Sequence, residues 1–212
     1  MEGVFLSLEG PEGCGKSTQG ALLADWLRSF GLSVVTTREP GGTPTGEMIR
    51  DILQHHASGE EIAEETEMLL FAASRAQHVA HVIRPALQQG TWVVCDRFVD
   101  SSLAYQGVAR GMGLDRVLEA NELALNGLWP NITLWFDLSV ETCLERVSAR
   151  KGRPDRFEAE APVFHRKVSE AYAQLADRFA DRFVRIPAAD GVEVIAKRVQ
   201  DVLRQRYPEV LA

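Results

Sequence analysis

Apolar and polar positions fall into blocks along this chain, and the blocks change period in a regular order. Val4–Leu8 is a short, almost unbroken apolar run of the kind that makes a buried strand. Ala21, Leu22, Leu23, Trp26, Leu27 and Phe30 then recur at helical spacing, Gly31 stops that helix, and Leu32–Thr37 predicts a second strand. Met48, Ile49, Ile52 and Leu53 predict a helix beginning near Thr45, and the polar stretch 55–61 predicts a loop. Met68, Phe71, Ala72, Val79 and Ile83 mark a long helix over about 63–88, with Thr91–Cys95 as a third strand. Val117, Leu118, Leu123 and Ala124 belong to a helix ending near Gly127, and Ile132–Phe136 to a fourth strand. A helix over 140–150, another carrying Phe164 to Phe179, a strand at Phe183–Ile186 and a closing helix over 191–207 complete the order. Strands alternating with helices predict right-handed crossovers and an α/β fold: a five-stranded, mainly parallel sheet with helices on both faces.

The motif between the first strand and first helix turns this architecture towards chemistry. Gly10-Pro11-Glu12-Gly13-Cys14-Gly15-Lys16-Ser17 fits G-x-x-x-x-G-K-S in the strand–turn–helix context that gives the pattern its mechanism. Glycines without a Cβ let the backbone curl several N–H groups around one phosphate, and the following helix adds its positive end. Lys16 then reaches the β- and γ-phosphates and the Ser17 hydroxyl is a ligand for Mg²⁺. The fold expected is the three-layer P-loop NTPase fold, with a nucleoside triphosphate as ligand.

Composition narrows the setting. The chain has 212 residues, 45% hydrophobic and 25% charged, which predicts one globular domain over 1–212. No apolar run approaches the length of a membrane span and no leader precedes the first strand, so the expectation is cytoplasmic, without a membrane partner. Cys14, Cys95 and Cys143 lie far apart with no paired spacing, and His55-His56 adjoin a polar loop, so neither a disulfide framework nor a metal cluster is expected. A net charge of −7 disfavours a polynucleotide partner but leaves room for a small phosphorylated substrate held by a few local arginines.

Several further residues stand where ligands bind in parallel sheets, beyond the carboxyl ends of the strands. Arg38–Thr43 follows the second strand. Asp96-Arg97 ends the third, where an aspartate can hold a Mg²⁺ shell and an arginine can fork onto phosphate; a surface ion pair is the plainer alternative. Asp137 is a rival for the metal, with no phosphate-binding residue beside it. Arg75 lies on the apolar stripe with Phe71, either as a flat ring and a hydrogen-bonding fork or as a core ring and a side chain reaching solvent. Ser102 and Gln106 share a helical face, although Ser101 or Ser102 is also an ordinary N-cap. Between Glu145 and Arg156, five cations against two anions leave a local charge of +3 on an acidic protein, broken by Gly152 and Pro154. That is a basic lid over about 146–158, or else a solvated helix end. Two phosphate-binding sets meeting in one crevice point to phosphoryl transfer between nucleotides.

The phosphate loop, Thr37–Thr43, Asp96-Arg97-Phe98, Asp100–Gly107 and the basic lid, in this order, strongly resemble the bacterial thymidylate kinases among the P-loop nucleoside monophosphate kinases. The resemblance runs from about residue 3 to the C-terminus, and the Arg-Glu-Pro-Gly-Gly and Tyr-Gln-Gly stretches are its most specific parts. It implies transfer of the ATP γ-phosphate to dTMP with Mg²⁺, in a homodimer. By similarity, Gly10–Thr18, with Thr18 closing the loop, would hold ATP, and Ser17 with Asp96 the metal. Phe71 would stack on thymine, Arg75, Gln106 and Ser102 would read its polar edge, and Tyr105 would crowd the sugar's 2′ position. Arg38 and Arg97 would hold the acceptor phosphate with Arg50 close by, and Glu39 would face the sugar or a metal-bound water. Lacking an arginine in its phosphate loop, where Glu12 and Gly13 stand, the chain resembles the members that supply catalytic cations from the lid. Arg150, Lys151, Arg153 and Arg156 are the candidates, beside Lys16, Arg97 and Glu12 in the catalytic set. Another nucleoside monophosphate kinase, or a slow nucleotide switch, are the competing readings.

Overall fold

The computed structural model describes residues 3–55, 60–150 and 155–212. Five parallel strands stand in the order β2-β3-β1-β4-β5: β1 (Phe5–Glu9), β2 (Val34–Arg38), β3 (Trp92–Asp96), β4 (Ile132–Asp137) and β5 (Phe183–Pro187). Register runs Phe5 against Val93, Leu6 against Ile132, Val34 against Trp92 and Thr133 against Phe183. The order reverses around β1, so the loop after β1 opens into the crevice where such sheets take ligands.

Strand alternation sorts the core into two layers. Leu6, Leu8, Trp92, Val94, Ile132, Leu134, Phe136 and Ile186 pack with α1 (Lys16–Arg28) and α9 (Val192–Arg206) through Leu23, Leu27, Ile195, Val199 and Leu203. On the opposite face Phe5, Val93 and Cys95 meet Phe98, Val79 and Ile83, while Trp135 and Phe183 meet α8 (Pro162–Arg178) through Val168, Tyr172 and Leu175. Helices cover both faces, as the block pattern requires. Further helices are α2 (Pro44–His55), α6 (Leu114–Leu125) and α7 (Val140–Ser148).

Two elements depart from the periodicity reading. The helix expected over 63–88 is α3 (Glu64–His78), a wide π turn at Val79–Ile83, and α4 (Arg84–Gln88). Pro85 supplies the reason: it has no N–H for the ladder, and its ring crowds the carbonyl four residues back. The stretch after Asp96-Arg97 is one turn, α5 (Val99–Ser102), running into a second π segment at Leu103–Ala109, where Arg110 N–H donates to Tyr105 O at 2.9 Å. The wider turn keeps both Tyr105 and Gln106 buried on the inner side.

All three cysteines are free and buried. Among the described residues, no helix is long and apolar enough to cross a membrane.

Leu27, fully buried between α1 and the sheet, has no part in the crevice. Leu27→Ala should lower unfolding free energy by about 2–5 kcal/mol, read as a lower urea midpoint, with the fold retained.

Candidate active site

Local backbone geometry builds the phosphate loop. Gly15 takes φ 101° at the N-cap of α1, with no side chain capping the helix, so the first N–H groups of α1 point outward. Gly13, at φ 82°, passes so close to α7 that a Cβ would meet the Cys143 carbonyl at 2.5 Å. Lys16 arches back over the loop and donates to Gly10 O at 3.1 Å and Pro11 O at 2.8 Å. At the second position of the helix, Ser17 Oγ donates to Asp96 Oδ2 at 2.6 Å, joining the start of α1 to the end of β3. Asp137, the rival acid, is taken by Arg185 Nε at 2.7 Å.

Arg97 stands at the centre, with its backbone at φ 71°. Its Nη1 donates to Gly10 O (3.0 Å), Ser101 Oγ (3.0 Å) and Tyr172 OH (3.3 Å), and its Nη2 to Glu12 Oε1 (2.6 Å) and Tyr105 OH (3.2 Å). Burial alone would push the Glu12 carboxyl up, but Arg97 and Lys16 pull it down to about 2. Glu9, fully buried at the end of β1, accepts from Phe98 N–H (2.7 Å), Ser101 Oγ (2.6 Å), Tyr172 OH (2.9 Å) and Ser7 Oγ (3.0 Å). Burial and the nearby Asp100 carboxylate nevertheless raise the Glu9 carboxyl to about 7, against the pull of Arg97 and these bonds.

A cavity of about 280 Å³ runs from this loop to a second wall. Glu12, Gly13, Gly15, Lys16, Ser17 and Thr18 of the loop line it together with Arg38, Glu39, Arg50, Phe71, Asp96, Arg97, Ser102, Tyr105 and Gln106. Arg38 is paired with Glu47 at 2.8 Å, and Arg50 donates to Pro40 O at 2.9 Å. Gly42, at φ 77°, lets that loop press against Thr37 and His78, where a Cβ would stand 2.7 Å from each polar atom. Gly10, Pro11 and Cys14 belong to the loop without facing the cavity.

Arg75 lies behind this wall instead of on it. It is 1% exposed, and it neither reaches solvent nor lines the cavity. Its guanidinium donates to Glu39 Oε2 (2.8 Å), to Phe98 O (3.1 Å), to Ser102 Oγ (3.2 Å) and to Asn121 Oδ1. Those acceptors offset the desolvation of a cation on an apolar stripe. Phe71 is only half-buried, its ring edge-on to Phe157 at 5.6 Å, so one surface faces the cavity. The serine N-cap alternative fails: Ser101 bonds Glu9, Ser102 bonds Arg75, and neither caps a helix.

The candidate lid cations separate. Arg150 lines the cavity and pairs with Glu158 at 3.1 Å. Arg156 does not line it; its Nε donates to Leu53 O at 2.9 Å, and its Nη2 stands 2.7 Å from Glu67 Oε2 without an N–H aimed at that oxygen. Arg146 donates to the Gly13 carbonyl at 3.4 Å. Lys151 and Arg153 lie outside the described residues.

This arrangement has close relatives. A family model described as thymidylate kinase matches residues 8–199. The chain belongs to the thymidylate kinase family. It is 43% identical over 211 residues to a thymidylate kinase of Trichormus variabilis, covering 100% of each chain. It is 48% identical over 203 residues to one of Pseudomonas putida, with 96% of each chain covered, and 41% identical over 210 residues to one of Bacillus licheniformis, with 99% of each covered. The α/β fold with its five-stranded parallel sheet is the one the resemblance implied.

Several residues of this thymidylate kinase site escaped the motif reading. Glu67, His78 and Asn121 are buried polar groups around Arg75 and Gln106, and His78 bridges Thr37 Oγ1 (2.7 Å) and Glu39 Oε1 (3.0 Å). Glu67, Arg75 and His78 lie with Phe71 at helical spacing along α3, polar positions within the apolar stripe that mark the inward face. Glu9 had a signal too, as an acid ending an otherwise buried strand.

Glu9 makes stability depend on pH with a defined sign. Between about pH 4.5 and 7 the native state keeps a proton on Glu9 that the unfolded chain has released, so stability falls as pH rises through that window and levels off above it. Urea unfolding of the wild type should therefore lose on the order of 2–3 kcal/mol more between pH 4.5 and 8 than Glu9→Gln does. Equal slopes would contradict the assignment.

Proposed function

We infer that this chain phosphorylates dTMP with ATP, giving dTDP and ADP, and that the walls of one cavity divide the work. The observation that supports this most directly is that one cavity is lined both by the phosphate loop, through Gly13, Gly15, Lys16 and Ser17, and by Phe71, Gln106, Arg38 and Arg97. Two phosphorylated ligands entering from opposite ends meet phosphate to phosphate there.

The loop amides and Lys16 hold the β- and γ-phosphates at the donor end, with Gly10 to Thr18 as the ATP site. Arg97 and Arg38 grip the acceptor phosphate, with Arg50 beside them, and Glu39 faces the acceptor's sugar. A phosphate oxygen of dTMP attacks the γ-phosphorus as the bond to ADP breaks, and positioning with charge neutralisation carries the rate. Glu12 holds Arg97 towards the loop until an acceptor phosphate takes its place, and Arg150 contributes lid charge next to the transferring group; Arg153 and Arg156 remain in the lid set, over 146–158. Phe71 stacks on the base. Gln106 and Ser102 read its edge, Arg75 acts on that edge through the Ser102 hydroxyl, and Tyr105 crowds the 2′ position.

Ser17 Oγ and Asp96 Oδ2, 2.6 Å apart, are hard oxygen donors suited to Mg²⁺. A Mg²⁺ held by these two oxygens would take its other ligands from phosphate and water. When bound, Mg²⁺ neutralises charge on the β- and γ-oxygens.

Met48, Ile52, Leu69 and Leu123, 43–91% exposed on α2, α3 and α6, leave apolar surface that supports a homodimer through these helices. The enzyme is taken as one kinase domain over 1–212, cytoplasmic, with no polynucleotide or membrane partner. Leu123→Glu should shift the mass measured by light scattering towards the monomer.

A coupled ADP-release assay over dTMP, dUMP, UMP, CMP, AMP and GMP tests the acceptor, and preference for a purine would refute the reading. Lys16→Ala and Arg97→Ala should each lower kcat by about 10²–10³-fold with the fold intact. Phe71→Ala should raise KM for dTMP far more than KM for ATP; equal rises would make Phe71 a core residue only.

A further inference from the structure

Glu67 lies on α3 one turn before Phe71, 1% exposed and outside the cavity lining. Its Oε1 accepts from Gln106 Nε2 at 2.7 Å. Two guanidinium groups flank it: Arg110 donates from Nε at 3.5 Å and from Nη2 at 3.4 Å, and Arg156 Nη2 stands at 2.7 Å. Arg110 is itself fixed, 2.5 Å from Glu160 and over the Phe164 ring at 4.5 Å.

The two ends of a glutamine amide differ in hydrogen-bonding sense, one donating and the other accepting, and ordinarily either end can be turned outward. Here the partner decides. A carboxylate between two guanidinium groups has no proton to give, so only the NH₂ end of Gln106 can face Glu67. The amide oxygen is the end left for the cavity, which Gln106 lines at 1% exposure.

We propose that Glu67 is the positioning residue that sets base specificity, by holding Gln106 with its carbonyl oxygen towards the acceptor base. This rests on the reading that Gln106 faces that base. An oxygen there accepts a ring N–H. Thymine and uracil carry one at N3, whereas cytosine presents a lone pair at N3 and meets the oxygen without a hydrogen bond. A buried polar group left unpaired in this way is the strong form of discrimination, on the order of 10⁴-fold, against the far smaller effect of a methyl group. Thymidylate and uridylate acceptors are thus separated from cytidylate by a residue that touches neither.

The test measures kcat and KM for dTMP, dCMP and ATP in the wild type, Glu67→Gln, Glu67→Asp and Gln106→Leu. A glutamine at 67 can present either end to Gln106, so its amide can turn and offer N–H to the cavity. Glu67→Gln should raise KM for dTMP, leave KM for ATP unchanged, and narrow the dTMP-to-dCMP ratio of kcat/KM by about tenfold or more, with dCMP turnover rising in absolute terms. Glu67→Asp keeps the charge facing Arg110 and Arg156 but withdraws it from Gln106, and should narrow the ratio also if Glu67→Gln does not fold. An unchanged ratio in both variants, with a collapsed ratio in Gln106→Leu, overturns the proposal while leaving Gln106 at the base. An unchanged ratio in Gln106→Leu removes the reading beneath it, and the proposal with it.

Discussion

The guanidinium of Arg97 joins three parts of the molecule that the chain brings together only by folding. It reaches the phosphate loop through Gly10 O and Glu12, the π segment through Tyr105, and α8 through Tyr172. Tyr172 and Ser101 pass the contact on to Glu9, behind the loop at the end of β1. A displacement of any one of these elements therefore changes the position of the cation between the two ends of the cavity. The parallel sheet makes such a junction possible, because β1 and β3 are neighbours and end level with each other.

Charge is distributed around the junction in matched groups. Glu9 takes neutral donors and is pushed towards its protonated form, while Glu12, beside two cations, is held ionised. Asp100, fully buried, is clasped by both Nη atoms of Arg182, which also lies against the rings of Trp129, Phe179 and Phe183. Arg75 shares Glu39 with His78. A buried ion without partners is costly to keep, and each of these has them.

The sheet, its parallel sense and the phosphate loop were legible because each rests on a local signal: apolar runs of strand length, glycines at fixed offsets, and Lys16-Ser17 at a helix start. The first π segment had a local signal in Pro85, inside the expected helix; the second had none, because it follows from packing of Leu103–Ala109 against α8 and α6, which no window of sequence contains. Arg75 was ambiguous for a related reason. Its acceptors come from Glu39, Phe98, Ser102 and Asn121, on four separate stretches of chain. The basic stretch over 146–158 was visible as a cluster of charge, but composition does not distinguish Arg150, which lines the cavity, from Arg156, which is turned towards Leu53 and Glu67.

The left-handed backbone at Arg97 imposes a conflict between side chain and main chain. That torsion suits glycine, and a residue with a Cβ holds it at a cost of about 1–2 kcal/mol. Among truncations at this position, glycine should then leave a sturdier fold than alanine, while both discard the same guanidinium. The arginine holds this torsion against its own backbone preference, and the contacts of its guanidinium with Gly10 O, Glu12, Tyr105 and Tyr172 are what offset that cost.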